Sequence, residues 1–461
     1  IARRQRQMCI RDRNRTIRGM TSSPRAIAPN RPYGLMASAN TDQPGIFRRG
    51  FGICGLSALF VTPRPGREAF MLLSIALILI FGLALGELAG LLRLPKLTGM
   101  IAAGILLGSL GWLDPALLGI SADLRKIALI IILTRAGLNL ELSDLKKCGR
   151  PALLLSFVPA ACEIVGVTLL AQLLLGLDIA EAATMGSVLA AVSPAVIVPK
   201  MLKLMEEKRG TDKQIPQMIL AGASMDDVFV IVMFSVFSGL CAGGEVSAVS
   251  IVNIPVSILL GAAMGAVCGV LMALLFRKLH MRDSVKVILV MSLAFLLVTL
   301  EDFLPDFIGF SGLVAVMTAG IALRQREPER AVRISAKYSK LWTAAELMLF
   351  VLVGAEVDLN SIGGIWLPVL GVIIGALAFR CAGVFLCLLR TRLCLKERLF
   401  CMLAYTPKAT VQAAIGGVPL AMGLACGNVI LSGAVLAILV TAAAGAFLID
   451  LTAPRLLKKE E

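Results

Sequence analysis

The residues best equipped for chemistry are two acids, Asp226 and Asp227, side by side in the apolar run Ala223-Ser224-Met225-Asp226-Asp227-Val228-Phe229. An ionisable group at bilayer depth costs roughly 2.5–3.5 kcal/mol on insertion scales, so each needs a partner or a task. Adjacent residues of a helix point about 100° apart, so the two carboxylates do not both face one narrow cavity. One is placed to bind an ion and the other to meet a partner. Burial and a neighbouring carboxylate both favour the protonated form of an acid, which sets a proton and a small monovalent cation in competition for the same oxygens. No basic residue on the same segment neutralises the pair.

Three further charges lie within apolar segments. Glu163, in Ala161-Cys162-Glu163-Ile164, and Arg380, in Phe379-Arg380-Cys381, are read as a buried salt bridge, because either charge unpaired is very costly. Lys408 follows a proline in Tyr405-Thr406-Pro407-Lys408-Ala409-Thr410-Val411-Gln412. It has two readings: neutralising Asp226 when no cation is bound, or steadying facing helix ends whose partial charges converge there. Arg135 and Glu346, nearer segment ends, are placed where they can snorkel, and Glu356 is read as a solvated loop charge in preference to an outer-mouth acid. The single histidine, His280, removes most histidine-based metal or triad chemistry. Eleven Cys without a C-x-x-C pair, among them Cys162, Cys268, Cys381 and Cys387 inside apolar runs, are read as small buried hydrophobes rather than a disulfide frame.

The elements that must position these groups are membrane helices. The 461 residues are 58% hydrophobic and their mean hydropathy is +0.87, which places the chain in the membrane class and leaves no room for a sizeable soluble domain. Apolar runs bounded by charge and Gly/Pro give thirteen segments, at 70–92, 98–113, 126–141, 151–175, 180–205, 214–240, 252–276, 285–303, 306–323, 341–358, 364–389, 397–422 and 428–452. The expected class is an all-α polytopic membrane protein.

Lys and Arg concentrate in alternate loops, including Lys146 to Arg150, Lys200 to Lys213, Arg324 to Lys340 and Arg390 to Arg398, which assigns a cytoplasmic C-terminus with a tail at 456–461. The expected location is a multi-pass protein of the bacterial inner membrane, in contact with lipid. The net charge of +15 does not point to nucleic acid, because residues 1–70, with 13 Arg against Asp12, Asp42 and Glu68, supply +10 of it. Residues 1–69 show no helical or strand period and Met71 stands at the mouth of the first segment, so this Arg-rich extension is read as non-structural or non-native.

The segments divide as six, one, six. Repeat one covers about 70–240, a linker helix about 252–276 and repeat two about 285–452. The fifth segment carries Ser193-Pro194-Ala195-Val196-Ile197-Val198-Pro199, and its counterpart, the twelfth, carries Thr406-Pro407-Lys408. Interior proline removes a backbone hydrogen bond and clashes with the preceding turn, so breaks are expected around Pro194 and Pro199 and around Thr406 and Pro407. Counterparts seven segments apart run in opposite directions, which is the pattern of an inverted repeat with paired broken helices.

These motifs resemble the cation:proton antiporter superfamily, in particular the two-aspartate sodium/proton antiporter branch that includes the animal NHA-type exchangers and their bacterial relatives. The matching stretches are Ala191 to Pro199, Gly222 to Asp227, Leu352 to Glu356 and Pro407 to Ala414, within a likeness covering about 71–455. The resemblance implies a non-enzymatic secondary transporter that works as a homodimer, with a dimerisation domain and a six-helix translocation domain moving like an elevator. It implies sodium or lithium, exchanged for protons, at Asp227 as principal carboxylate, with Asp226 its neighbour, Ser193 in the adjoining break, and no cofactor. With Asp227 as the ion site, the residues themselves leave Asp226 to answer to Lys408. Better-studied bacterial two-aspartate members carry Lys where this chain has Arg380, and Arg is always protonated, so a mechanism in which that position releases a proton does not transfer.

Three other readings compete. Potassium/proton exchange differs only in ion size, and no residue here discriminates it. A sodium-coupled organic-anion symporter of related fold needs an organic solute. An intramembrane aspartyl protease needs carboxylates on opposing segments sharing a proton, whereas these are adjacent.

Overall fold

The computed structural model describes residues 67–92, 94–140, 142–242, 248–304, 309–357 and 359–459; the Arg-rich extension up to residue 66 lies outside the described residues. In chain order the helices are α1 (Arg67–Leu91), α2 (Lys96–Ser109), α3 (Pro115–Gly119), α4 (Ser121–Asn139), α5 (Leu142–Leu155), α6 (Val158–Leu175), α7 (Ile179–Leu189), α8 (Pro194–Glu206), α9 (Ile215–Cys241), α10 (Ala248–Lys278), α11 (Asp283–Phe303), α12 (Gly312–Arg326), α13 (Pro328–Ala355), α14 (Leu359–Cys387), α15 (Leu395–Ala404), α16 (Thr410–Ile415), α17 (Val418–Ala421) and α18 (Gly427–Leu456). A helix satisfies its backbone internally, which is why a chain this apolar resolves into helices.

Among the described residues each of the thirteen apolar segments overlaps a helix or an interrupted set of helices. Nine spans among the described residues are long and apolar enough to cross a membrane. The other four are special for physical reasons: α2 and α12 have 14 and 15 residues, α4 carries Asp123, Arg125, Lys126 and Arg135, and the segment at 397–422 is divided into α15, α16 and α17.

The breaks fall where proline forbids helix. Helix α7 stops at Leu189, and α8 restarts with Pro194 in its first turn, where a missing N–H is harmless. Pro199 lies inside α8, so it is not a break position as the sequence suggested; the interruption is confined to 190–193. The second break is as expected: α15 ends at Ala404 and α16 begins at Thr410, leaving Thr406, Pro407 and Lys408 between them.

Packing sorts the helices into two groups. Helices α1–α4 and α10–α13 pack mainly with each other, as do α5–α9 and α14–α18; the main contacts between groups run through α16 against α4 and α13, α18 against α2, and α9 against α10 and α12. Helices α6 and α14 are an extensively packed pair in the second group. Gly383 permits the approach, because a Cβ there would stand 2.8 Å from the Pro159 Cα. Small residues at such crossings let membrane helices meet closely where hydrophobic burial supplies no drive. The consequence is that Glu163 on α6 and Arg380 on α14 face one another.

Candidate functional site

Breaking α7 and α15 inside an apolar bundle strands backbone groups that no water reaches, and each unsatisfied one is expensive. Polar and charged side chains from elsewhere in the bundle meet them. Leu189 O accepts from Lys408 Nζ (2.5 Å) and Gln412 Nε2 (3.3 Å), and Ala191 O accepts from Gln412 Nε2 (2.8 Å). Ala190 O accepts from Arg380 Nη1. Val192 N donates to Asp226 Oδ2 (2.8 Å), and Ser193 N donates to Pro407 O (2.8 Å), which joins the two breaks directly. On the other side Tyr405 O accepts from Arg380 Nε (2.6 Å) and Lys408 N donates to Thr441 Oγ1 (3.0 Å). Cations thus cap the carbonyl end of α7, where the helix dipole favours them.

The same side chains form a charge network. Glu163 Oε2 pairs with Arg380 Nη1 at 2.9 Å and Glu163 Oε1 with Lys408 Nζ at 2.6 Å, while Asp226 Oδ2 pairs with Arg380 Nη2 at 2.9 Å. All four residues are buried. Two acids and two bases therefore cancel. The Glu163–Arg380 contact has the partners the sequence suggested, but the assignment of Lys408 to Asp226 is corrected: Arg380 forks between Glu163 and Asp226, and Lys408 turns to Glu163 and the end of α7. Its second reading, steadying facing helix ends, is the one this geometry matches. The planar guanidinium reaches four acceptors at once, and it also lies 5.6 Å from the centre of the Tyr405 ring.

Asp227 stands apart. It follows Asp226 on α9 and is 8% exposed against 0% for its neighbour. Its Oδ1 is buried without a hydrogen-bond partner. Among the described residues no basic side chain forms an ion pair with it. Ser193 Oγ in the first break, Asp226 Oδ1 on α9, and Thr410 Oγ1 and Gln412 Oε1 at the start of α16 are likewise buried and unpartnered. Buried polar atoms are ordinarily satisfied, so a set of oxygens left over around two helix breaks has a chemical meaning: these are acceptors suited to a hard cation or a proton.

Sequence reasoning missed several contributors. Gln412 lay within a quoted motif, four residues past Lys408, and a polar side chain so close to the break was the available signal. Thr441, in the apolar α18, carried none beyond being polar. Glu356 is not a solvated loop charge: Arg125, on α4, is 2% exposed, its Nη1 pairs with Glu356 Oε2 at 2.5 Å, and Ser121 Oγ donates to the same carboxylate. The Arg125 guanidinium packs against Gly417, between α16 and α17, so this pair lies where the two helix groups touch. Arg135 and Glu346 are half-buried on α4 and α13 and within electrostatic reach of each other, rather than snorkelling separately.

A polytopic helical bundle with two broken helices meeting over buried charges is the architecture of a secondary transporter. The family profile described as "Sodium/hydrogen exchanger, transmembrane" matches residues 75–452. Sodium/hydrogen exchanger 9B2 of Homo sapiens is 33% identical over 425 residues, covering 86% of this chain and 76% of that protein. Sodium/hydrogen exchanger 9B1 of Homo sapiens is 30% identical over 421 residues, covering 86% and 79%. In fold, the chain is similar to the sodium proton antiporter MjNhaP1 from Methanocaldococcus jannaschii, with a TM-score of 0.76 and 21% identity over 85% of this chain and 99% of that one. The chain belongs to the sodium/hydrogen exchanger family of cation:proton antiporters, with the two-aspartate motif at Asp226-Asp227.

Proposed function

We propose that the protein exchanges sodium, with lithium as the closest substitute, for protons by competition at Asp227. The observation that carries this reading is the inequality of the two aspartates: Asp226 has a fixed counter-charge in Arg380, whereas Asp227 has none among the described residues and keeps a buried, unpartnered oxygen. A buried carboxylate without a fixed cation is neutralised by a proton or by a mobile cation, and alternation between the two is exchange. Asp226, Glu163, Arg380 and Lys408 serve as a rigid frame that holds the breaks open and electrically balanced. Ser193, in the first break, supplies a hydroxyl beside the carboxylates. The names of the 9B2 and 9B1 relatives and of MjNhaP1 support the choice of ions.

Alternating access is proposed to follow the division of the helices, with α5–α9 and α14–α18 moving as one body against the rest, in an elevator-like manner and within a homodimer. The loop charges support a cytoplasmic C-terminus, and a bacterial inner membrane remains the proposed location. The test is Asp227→Asn in everted vesicles loaded with a pH-sensitive dye. Sodium-dependent dequenching is expected to vanish, and wild-type exchange by that variant would sink the assignment.

A further inference from the structure

Away from the charge network, three metal-ligating side chains from three helices meet. Cys241 is the last residue of α9, Cys426 caps the N-terminus of α18, and Glu181 lies in the first turn of α7. The two sulfurs are 3.9 Å apart. One ligand atom from each of the three residues lies within 4.8 Å of the other two. Both cysteines are free thiols, Cys426 buried and Cys241 partly so. We propose that Glu181, Cys241 and Cys426 form a binding site for a thiophilic divalent cation, of the zinc or cadmium class, separate from the transport carboxylates.

The spacing suits a bridging ion. With metal–sulfur bonds of about 2.3 Å and tetrahedral angles, two thiolates on one zinc ion stand about 3.8 Å apart. The observed 3.9 Å matches that separation. Two thiolates and one carboxylate select a borderline-soft ion and reject sodium, which prefers oxygen alone. Glu181 is held in place beforehand: its Oε2 accepts from Asp178 N at 3.1 Å in the capping box of α7. Such outer contacts orient a ligand without using up the carboxylate. Three protein ligands leave the fourth tetrahedral position to water. Binding releases one proton from each thiol, so affinity rises with pH. Occupancy ties together the ends of α7, α9 and α18, the helices that present Leu189, the aspartates and Thr441 to the breaks.

The test reads binding and not transport, so its failure leaves the exchange reading untouched. The purified full-length chain in detergent is titrated with Cd2+ alone, following cadmium–thiolate charge-transfer absorption, and bound metal is counted by elemental mass spectrometry. One Cd2+ per chain with a thiolate band is expected, displaced by Zn2+, lost in C241S and in C426S, and weakened about tenfold or more in E181Q. Alkylation mapping on the unmutated chain needs no variant to fold: Cd2+ is expected to protect Cys241 and Cys426 while leaving exposed Cys394 reactive. Absence of a thiolate band, an unchanged band in the double variant C241S/C426S, alkylation of the pair unaffected by Cd2+, or recovery of the two thiols as a disulfide would each overturn the proposal.

Discussion

Charge balance in the Glu163, Asp226, Arg380 and Lys408 network predicts a specific rank order of stabilities. Glu163→Gln strips Lys408 of its carboxylate and leaves Arg380 to Asp226 alone. Removing one member of a buried pair leaves an uncompensated charge and costs about 3–5 kcal/mol. Lys408→Met removes the cation that Glu163 Oε1 faces and the donor to Leu189 O, and its cost is of the same order. The double variant Glu163→Gln/Lys408→Met leaves Arg380 and Asp226 as a neutral pair, so it is expected to lose less than the sum of the singles, with a coupling of about 0.5–3 kcal/mol. Glu163→Gln/Asp226→Asn leaves two cations without a carboxylate and is expected to be the least stable of the set. Asp227→Asn, which removes no ion pair, is expected to be neutral or stabilising. The assay is thermal unfolding of each purified variant in the same detergent at neutral pH and low sodium. Strict additivity of Glu163→Gln and Lys408→Met, or an Asp227→Asn loss as large as that of Asp226→Asn, would refute the balanced-frame reasoning.

Two further outcomes are expected. Glu356→Gln leaves the Arg125 guanidinium buried without its carboxylate, so a loss of about 3–5 kcal/mol is expected, largely recovered in Arg125→Met/Glu356→Gln; thermal unfolding of the two variants checks this. At the loop between α12 and α13, the Arg277 guanidinium beside Glu327, assisted by Arg330, holds the Glu327 carboxyl below the usual carboxylate range. A depressed folded-state value stabilises above the unfolded value and is lost as pH falls through the folded one. The difference in melting temperature between wild type and Glu327→Gln is therefore expected to be constant near neutrality and to shrink below roughly pH 4; a difference unchanged down to pH 3 would contradict the pairing.

Much of this architecture was legible because the bilayer imposes it. Apolar length identifies helices, and proline at 194 and 407 identifies breaks, without reference to tertiary contacts. The adjacency of Asp226 and Asp227 on one helix made their inequality foreseeable from helical geometry alone. The pairing of charges was not legible. Whether Lys408 reaches Asp226 or Glu163 depends on how closely α6 and α14 cross, and that depends on small residues such as Gly383 whose effect is three-dimensional. Arg125 and Glu356 were hidden for a related reason: α4 carries four charged residues, and Arg125 is buried against Gly417 of the opposing group of helices rather than by the hydropathy of its own segment. Pro199 shows the converse limit, since a proline six residues into a helix was tolerated where a break was expected.

The central claim is that a proton and a sodium ion compete for one carboxylate. The measurement that tests it most directly is the sodium concentration giving half-maximal exchange in proteoliposomes, determined at several pH values with maximal rate fitted separately. A single shared site predicts that this concentration rises about tenfold per pH unit on the acid side of the carboxylate's titration while the maximal rate holds. A half-maximal concentration independent of pH, with acid lowering only the maximal rate, would contradict competition at Asp227.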